Sequence, residues 1–151
     1  CSSDLAAARA LQEECLALGK EMNEKNIMAP VLFGLGMIDL AERKSEAREH
    51  ILASLRLCVE TGGQLQQTSS LIGMAELVLR EGNPKFAAQL LGAVDAALKA
   101  LNAALEMDMK SFHEQTLAAI KTQLGEEAFQ SAWEEGSRWS LEETVKKVLG
   151  E

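Results

Sequence analysis

Apolar residues recur at spacings of three and four along most of the chain, which is the repeat of one face of an α-helix. The first run of this kind is Ala8, Leu11, Cys15, Leu18 and Met22. Similar runs continue as far as Leu149, and no segment shows the alternation with a period of two that a half-buried strand requires. The pattern therefore predicts an all-α fold.

Capping residues and prolines indicate where individual helices begin. Asp4 and Ser45 stand where the N-caps of the first and third helices are expected, and Pro30 lies near the start of the second helix. Pro84 is well placed as the first residue of the fifth helix, because a proline there removes no helical hydrogen bond. Ser140 opens the sequence Ser-Leu-Glu-Glu, which is a capping box ahead of the last helix.

Polar breaks and glycines indicate where helices end. The polar segment 23–26 follows the first helix, Gly62-Gly63 is a C-terminal glycine signal after the third, and Gly125 ends the sixth. Together these signals predict about eight helices. We expect a single helical-repeat domain over residues 1–151, with a helix at 5–22, helix pairs at 26–62 and 64–101, and C-terminal capping helices at 107–151.

An internal repeat is visible when the second predicted helix is compared with the fourth. The segment 31–38 aligns with 69–75 and places Gly36 over Gly73, a period of 73 − 36 = 37 residues. A glycine inside a helix costs about 1 kcal/mol relative to alanine, and it is usually kept where two helices approach closely. We therefore expect Gly36 and Gly73 each to face a neighbouring helix.

The repeat resembles a tetratricopeptide unit, whose period is about 34 residues. Segment 4–11 is similar to the second helix of such a unit, and segment 81–93 is similar to a later unit. The resemblance implies a solenoid, a right-handed superhelix of antiparallel helix pairs. It also implies that the chain opens in the second helix of a unit and that output domains lie outside it.

The tail is similar to the C-terminus of large bacterial regulators of the LuxR type and the nucleotide-binding ATPase type. The matching segments are 124–136 and 140–145. The turn at Arg43-Lys44 departs from the usual Gly-Asp turn, and the turn between helices six and seven carries no residue with chemical character. The resemblance implies a bacterial protein that acts in signal transduction or transcription regulation. A cytoplasmic location is expected because the sequence shows neither a membrane-spanning run nor a signal peptide.

Charge and composition narrow the range of partners. The chain has 15 Lys+Arg against 23 Asp+Glu, and its net charge of −8 opposes direct binding to a phosphate backbone. The sequence contains no run of about 18 apolar residues, which is the length needed to span a bilayer. The three cysteines show no metal-binding spacing, and Cys15 and Cys58 fall on apolar stripes, so both are predicted to be small core residues.

Residues with catalytic or metal-binding chemistry are few and isolated. His50 and His113 have no second ligand at a helical spacing, so we expect both to be solvated or capping residues. The run Thr68-Ser69-Ser70 lacks the strand and turn of a nucleophile elbow, and Gly34-Leu35-Gly36 is not a phosphate loop. The sequence therefore predicts no catalytic residue, no metal site and no cofactor.

The leading functional hypothesis is an interaction and sensing module. Stacked helix pairs present a groove in which an amphipathic helix can lie, either from another protein or from other domains of the parent chain. The groove is predicted to be lined by side chains of the second and fourth helices that lie off the packing stripes: Phe33, Met37, Leu40, Gln67, Ser70, Met74 and Leu77.

Three alternatives remain open at this point. Helices six to eight could fold over the groove and bury it. The chain could instead be a purely structural solenoid cap, or a dimerisation segment that forms a weak homodimer through Leu5, Leu11 and Leu16 of the first helix. A small helical enzyme is the third alternative, although no set of catalytic residues in the sequence supports it.

Overall fold

The computed structural model describes residues 2–151 and confirms an all-helical fold. Within this range the chain forms eight helices and no strand. The helices are α1 (Ser2–Met22), α2 (Lys25–Glu42), α3 (Ala47–Thr61), α4 (Gln64–Arg80), α5 (Pro84–Ala100), α6 (Met107–Leu124), α7 (Glu126–Ser137) and α8 (Leu141–Leu149). No helix in the described part of the chain is both long and apolar enough to cross a membrane.

The strongest capping signals of the sequence are confirmed. Gly62 ends α3 with a φ of 75°, a left-handed conformation that glycine adopts without a steric penalty. Pro84 begins α5, and the side chain of Asn83 accepts a hydrogen bond from the Phe86 N–H. Ser140 and Glu143 form the capping box of α8 through bonds of 3.1 Å and 2.8 Å. Each of these signals is local in sequence.

Three predicted starts are corrected by the structure. Helix α1 begins at Ser2, so Asp4 lies in its first turn, where the carboxylate still faces the positive end of the helix dipole. The N-cap position of α3 is Glu46, and the Ser45 hydroxyl donates to the Glu46 carboxylate at 3.2 Å instead of capping the helix. Pro30 lies inside α2, beyond its first turn.

The chain divides into two compact units, and the division falls inside α4, between Ser70 and Leu71. The first unit contains α1, α2, α3 and the start of α4. In it, α2 packs against α1 and most extensively against α3. The helix pairs at 26–62 and 64–101 and their solenoid arrangement stay a prediction.

Helices α2 and α3 approach closely at Gly36. A Cβ added there would lie 2.5 Å from Cγ1 of Ile51 and 3.3 Å from the Ile51 backbone nitrogen. The space for a side chain is therefore occupied by α3, and the predicted role of Gly36 is confirmed. Gly73 is also buried, and its predicted approach to a neighbouring helix stays a prediction.

The second unit runs from Leu71 to Glu151. Its helix α5 packs mainly against α7 and also contacts α6 and α8. Two glycines allow α5 and α7 to meet backbone to backbone. The site of a Cβ on Gly92 is filled by the backbone of Trp133, and the site of a Cβ on Gly136 is filled by the backbone of Gln89. This reciprocal contact did not follow from the repeat.

The cysteine prediction is confirmed at one of its two positions. Cys58 is fully buried, and burial raises the pKa of its thiol, an effect that a hydrogen bond with Ser54 partly opposes. Cys15 is only half-buried. Cys58 on α3 therefore belongs to the core, whereas Cys15 on α1 lies at the edge of the core.

Candidate functional site

Four of the seven predicted groove residues lie in the interior. They are Leu40, Gln67, Ser70 and Met74. Two of them make hydrogen bonds toward α3: the Gln67 amide donates to the Cys58 carbonyl at 3.3 Å, and the Ser70 hydroxyl lies 3.5 Å from that of Ser54. These side chains therefore pack helices together and do not face solvent.

The other three groove residues are half-buried. Phe33 and Met37 lie four residues apart on α2, in the first unit, and Leu77 belongs to the second unit. Residues four apart on a helix share a face. Phe33 and Met37 are thus the part of the predicted groove that α2 offers to solvent.

A larger apolar surface lies on α1. Leu11, Leu18 and Met22 are 61%, 51% and 62% exposed, although the sequence suggested that this stripe packs inward. Their spacing of seven and four residues places them on one face. Ile27, at the start of α2, is 42% exposed and lies 3.6 Å from the position of a Cβ on Gly19. We call these four residues the exposed ridge.

A different side of α1, about a quarter turn around the helix from the ridge, packs against α2. The amide of Gln12 lies beside Gly34, 3.0 Å from the position of its absent Cβ, and Met28 lies 2.8 Å from that of Gly19. Leu5 and Leu16, expected to stay uncovered together with Leu11, are half-buried. Small residues and a flexible amide at this contact let the two helices approach, which turns the ridge toward solvent.

A buried ionic cluster fixes this orientation of α1. The carboxylate of Asp39, whose side chain is 1% exposed, accepts from Nη2 of Arg9 at 2.7 Å and lies 2.5 Å from Nδ1 of His50. Arg9 also reaches the Glu42 carboxylate at 3.4 Å. The bond to Asp39 is the main cause that raises the pKa of Arg9. One carboxylate therefore connects α1, α2 and α3, because a buried charge requires such partners.

Both histidines differ from their predicted surroundings. His50 was expected to be solvated or capping, and it instead pairs with Asp39. His113 is partly enclosed: its Nε2 is buried without a hydrogen-bond partner, and burial lowers the pKa of the imidazole. The partner of His50 is eleven residues away along the chain, so no helical spacing indicated it.

Acidic side chains flank the exposed ridge. Glu14 follows Leu11 by three residues, Glu21 follows Leu18 by three, and both glutamates are exposed. Side chains three apart on a helix are neighbours. Lys20 is exposed on the opposite side of α1, and the ammonium of Lys25 is bonded to Glu60 at 2.6 Å. The flank of the ridge is therefore negative.

A pocket of about 260 Å³ lies beside the ionic cluster and is lined by Leu5, Ala6, Arg9, Glu42 and Lys44. Its charged side chains already pair with one another, as Lys44 does with Glu42 at 3.0 Å. Within residues 2–151, no three His, Cys, Asp or Glu side chains are grouped so that they could hold a metal ion. The exposed ridge is therefore the candidate binding surface of the first unit.

Comparison of the chain with protein-family models, with curated protein sequences and with solved structures finds no match.

Proposed function

We propose that the chain is a non-catalytic interaction and sensing module of a larger cytoplasmic bacterial regulator. It binds a protein or peptide segment on an exposed helical surface, and it needs no cofactor, nucleic acid or membrane. The tetratricopeptide-like repeat and the tail motif support this assignment, as does the close approach of α2 and α3 at Gly36, which is the use expected of a repeat glycine.

The observation that carries the proposal is the exposed ridge. Isolated apolar side chains are common on protein surfaces, but contiguous ones often mark binding sites. Leu11, Leu18 and Met22 lie along three turns of one helix, and Ile27 extends the surface onto the next. Burial of this surface by a partner would stabilise a complex at about 25 cal/mol per Å² before the costs of association.

The polar groups in the interior favour an architectural role over a catalytic one. Asp39 links three helices, and the Ser54 hydroxyl donates to the Ala29 carbonyl at 2.6 Å. In the second unit, the Thr116 hydroxyl donates to the Glu76 carboxylate at 2.8 Å. The hydrogen bonds of these side chains connect one helix to another.

Site-specific photo-crosslinking tests the proposal. A photoreactive residue placed at Leu18 should give an adduct of discrete mass in cells that express the protein, whereas the same group at Lys20, on the opposite side of α1, should not. A third position at Phe33 tests the half-exposed part of the predicted groove. Adducts of equal yield at all three positions, or at none, would contradict a binding role for this surface.

A further inference from the structure

We infer that the exposed ridge binds a basic amphipathic helix, which lays its apolar side chains on the ridge and directs lysine or arginine toward Glu14 and Glu21. This inference rests on the proposed function and specifies the class of partner. It is drawn from three features of the first unit: the shape of the ridge, the charge along its flank, and the contacts that hold α1 in place.

The shape of the ridge suits a helix. Leu11 and Met22 are eleven residues apart on one continuous helix, which corresponds to about 16 Å along its axis at 1.5 Å per residue. A straight row of apolar side chains with this spacing matches a partner that repeats apolar residues at i, i+3 or i+4, and i+7. Such a partner needs about three to four turns to cover the ridge.

The charge along the flank selects a basic partner. Glu14 and Glu21 lie on the same side of the ridge, one helical repeat of seven residues apart. Two basic residues of α1 are close to them in sequence. Lys20 lies on the other side of the helix, and Arg9 is directed into the cluster with Asp39. Cationic side chains of a bound helix would therefore meet carboxylates that have no cation beside them on the ridge. Electrostatic attraction of this kind contributes to specificity and to the rate of association.

A second copy of the chain fits the ridge less well. Pairing of two α1 helices through their ridges would bring the Glu14 and Glu21 side chains of both copies together, and each copy carries a net charge of −8. The four side chains of the ridge are only 42% to 62% exposed, and they offer less area than the roughly 800 Å² that each partner buries in a stable interface of standard size. A basic partner adds attraction between opposite charges to this apolar contact, whereas a second copy adds repulsion.

The orientation of α1 makes the ridge a preformed site. The bond from Arg9 to Asp39 and the packing of Gly19 on Met28 hold α1 through side chains outside the row of Leu11, Leu18 and Met22. A partner therefore does not need to displace α1 from α2 in order to bind. A preformed site loses less affinity than a flexible site, because fewer side chains and loops must become ordered on binding.

Fluorescence anisotropy with labelled synthetic peptides tests the inference directly. The probe is a peptide of about four helical turns with leucine at the ridge spacing and lysine on both flanks. One control peptide replaces every lysine with glutamate, and another scrambles the order so that the apolar face is lost. We expect binding of the basic amphipathic peptide alone, and we expect this binding to weaken as salt is added.

Protein variants locate the site. Leu18→Asp should weaken binding of the basic peptide more than tenfold, whereas Val59→Asp, at an apolar side chain of α3 that is 47% exposed, should leave it unchanged. Glu14→Gln and Glu21→Gln should each weaken binding about twofold to fivefold, as expected for the loss of an exposed ion pair. Circular dichroism confirms that each variant keeps its helical content, and Met22→Gln is a second ridge variant in case Leu18→Asp fails to fold.

The outcomes separate this inference from the proposed function. Equal binding of the acidic and basic peptides, both lost in Leu18→Asp, would overturn the charge selection and leave the interaction module intact. Self-association through the ridge in sedimentation velocity, with no peptide binding, would identify a second copy as the occupant and overturn the inference. Absence of peptide binding together with absence of Leu18 adducts would contradict both proposals.

Discussion

Replacement of Gly136 by alanine should destabilise the second unit, because the added methyl group has no room. Its Cβ would lie 2.6 Å from the Cα of Gln89 and 2.5 Å from the Gln89 carbonyl carbon, whereas carbon atoms in contact are separated by about 3.5–4.0 Å. Helices α5 and α7 would have to separate by about 1 Å along their whole contact. A backbone cannot rotate away as a side chain does, so the clash is not relieved locally.

The magnitude follows from two opposing effects. Alanine is a better helix former than glycine by about 0.8–1.0 kcal/mol, and overpacking of a tight interface costs about 1–3 kcal/mol or more. Because the clash is with backbone, the upper part of that range applies. Gly136→Ala should therefore lower the free energy of unfolding by about 2 kcal/mol. Gly92→Ala should act in the same direction, since its Cβ would lie 3.1 Å from the Cα of Trp133.

Gly34→Ala is the matched control. The three atoms nearest to its Cβ would all belong to the amide end of Gln12, the closest at 3.0 Å, and this flexible side chain can move aside. The gain in helix propensity should then prevail, and the variant should be as stable as the parent or more stable by up to about 1 kcal/mol.

Urea unfolding followed by tryptophan fluorescence is the appropriate assay for the second unit, because both tryptophans, Trp133 and Trp139, belong to it. Circular dichroism reports both units and serves for the control variant. An unchanged m-value shows that a midpoint shift reflects stability. A midpoint for Gly136→Ala that equals or exceeds that of the parent would refute the backbone contact between α5 and α7.

Three further predictions concern titration, reactivity and association. Burial lowers the pKa of His113 below the value of about 6.5 in the unfolded chain, so the unfolded state takes up a proton first as the pH falls. The stability of the parent should therefore fall between about pH 7.5 and about pH 5.5, and that of His113→Gln should fall less steeply. Urea midpoints that change equally with pH in both proteins would exclude this role. In a Cys1→Ser background, Cys15 should react with a thiol reagent in the folded protein, whereas Cys58, whose pKa is raised by burial, should react only as fast as the protein unfolds. Any self-association through the exposed ridge should be weaker than binding of a basic helix and should increase, not decrease, as salt screens the negative charge of the two copies; sedimentation velocity that shows a dimer at low salt and a monomer at high salt would contradict this.

Three helix ends were predictable because their determinants lie within a few residues of the end. Gly62, Pro84 and Ser140 act through their own backbone or through a hydrogen bond three residues away. The start of α3 was misplaced because Ser45 bonds to its neighbour Glu46 instead of to the helix. Local chemistry thus located these three boundaries, and it failed at the start of α3, where two local hydrogen bonds competed.

Contacts between distant residues were not predictable in the same way. His50 and Asp39 are separated by 11 residues, and Arg9 and Asp39 by 30, so no helical spacing relates them. A lone aspartate between Ile38 and Leu40 was the available signal, since a charge within an apolar run requires a partner when it is buried. The pairing of Gly92 with α7 had no counterpart in the repeat that revealed Gly36.

The exposed ridge illustrates why periodicity alone cannot assign the inward face of a helix. Helix α1 carries apolar residues on two faces: one includes Leu11, Leu18 and Met22, and the other includes Leu5 and Leu16. Hydrophobicity favours burial of either one. Arg9 lies on the second face and must point inward to neutralise Asp39, whose burial would otherwise be very costly. The ionic contact therefore decides between two apolar alternatives, and it leaves the stronger stripe free for a partner.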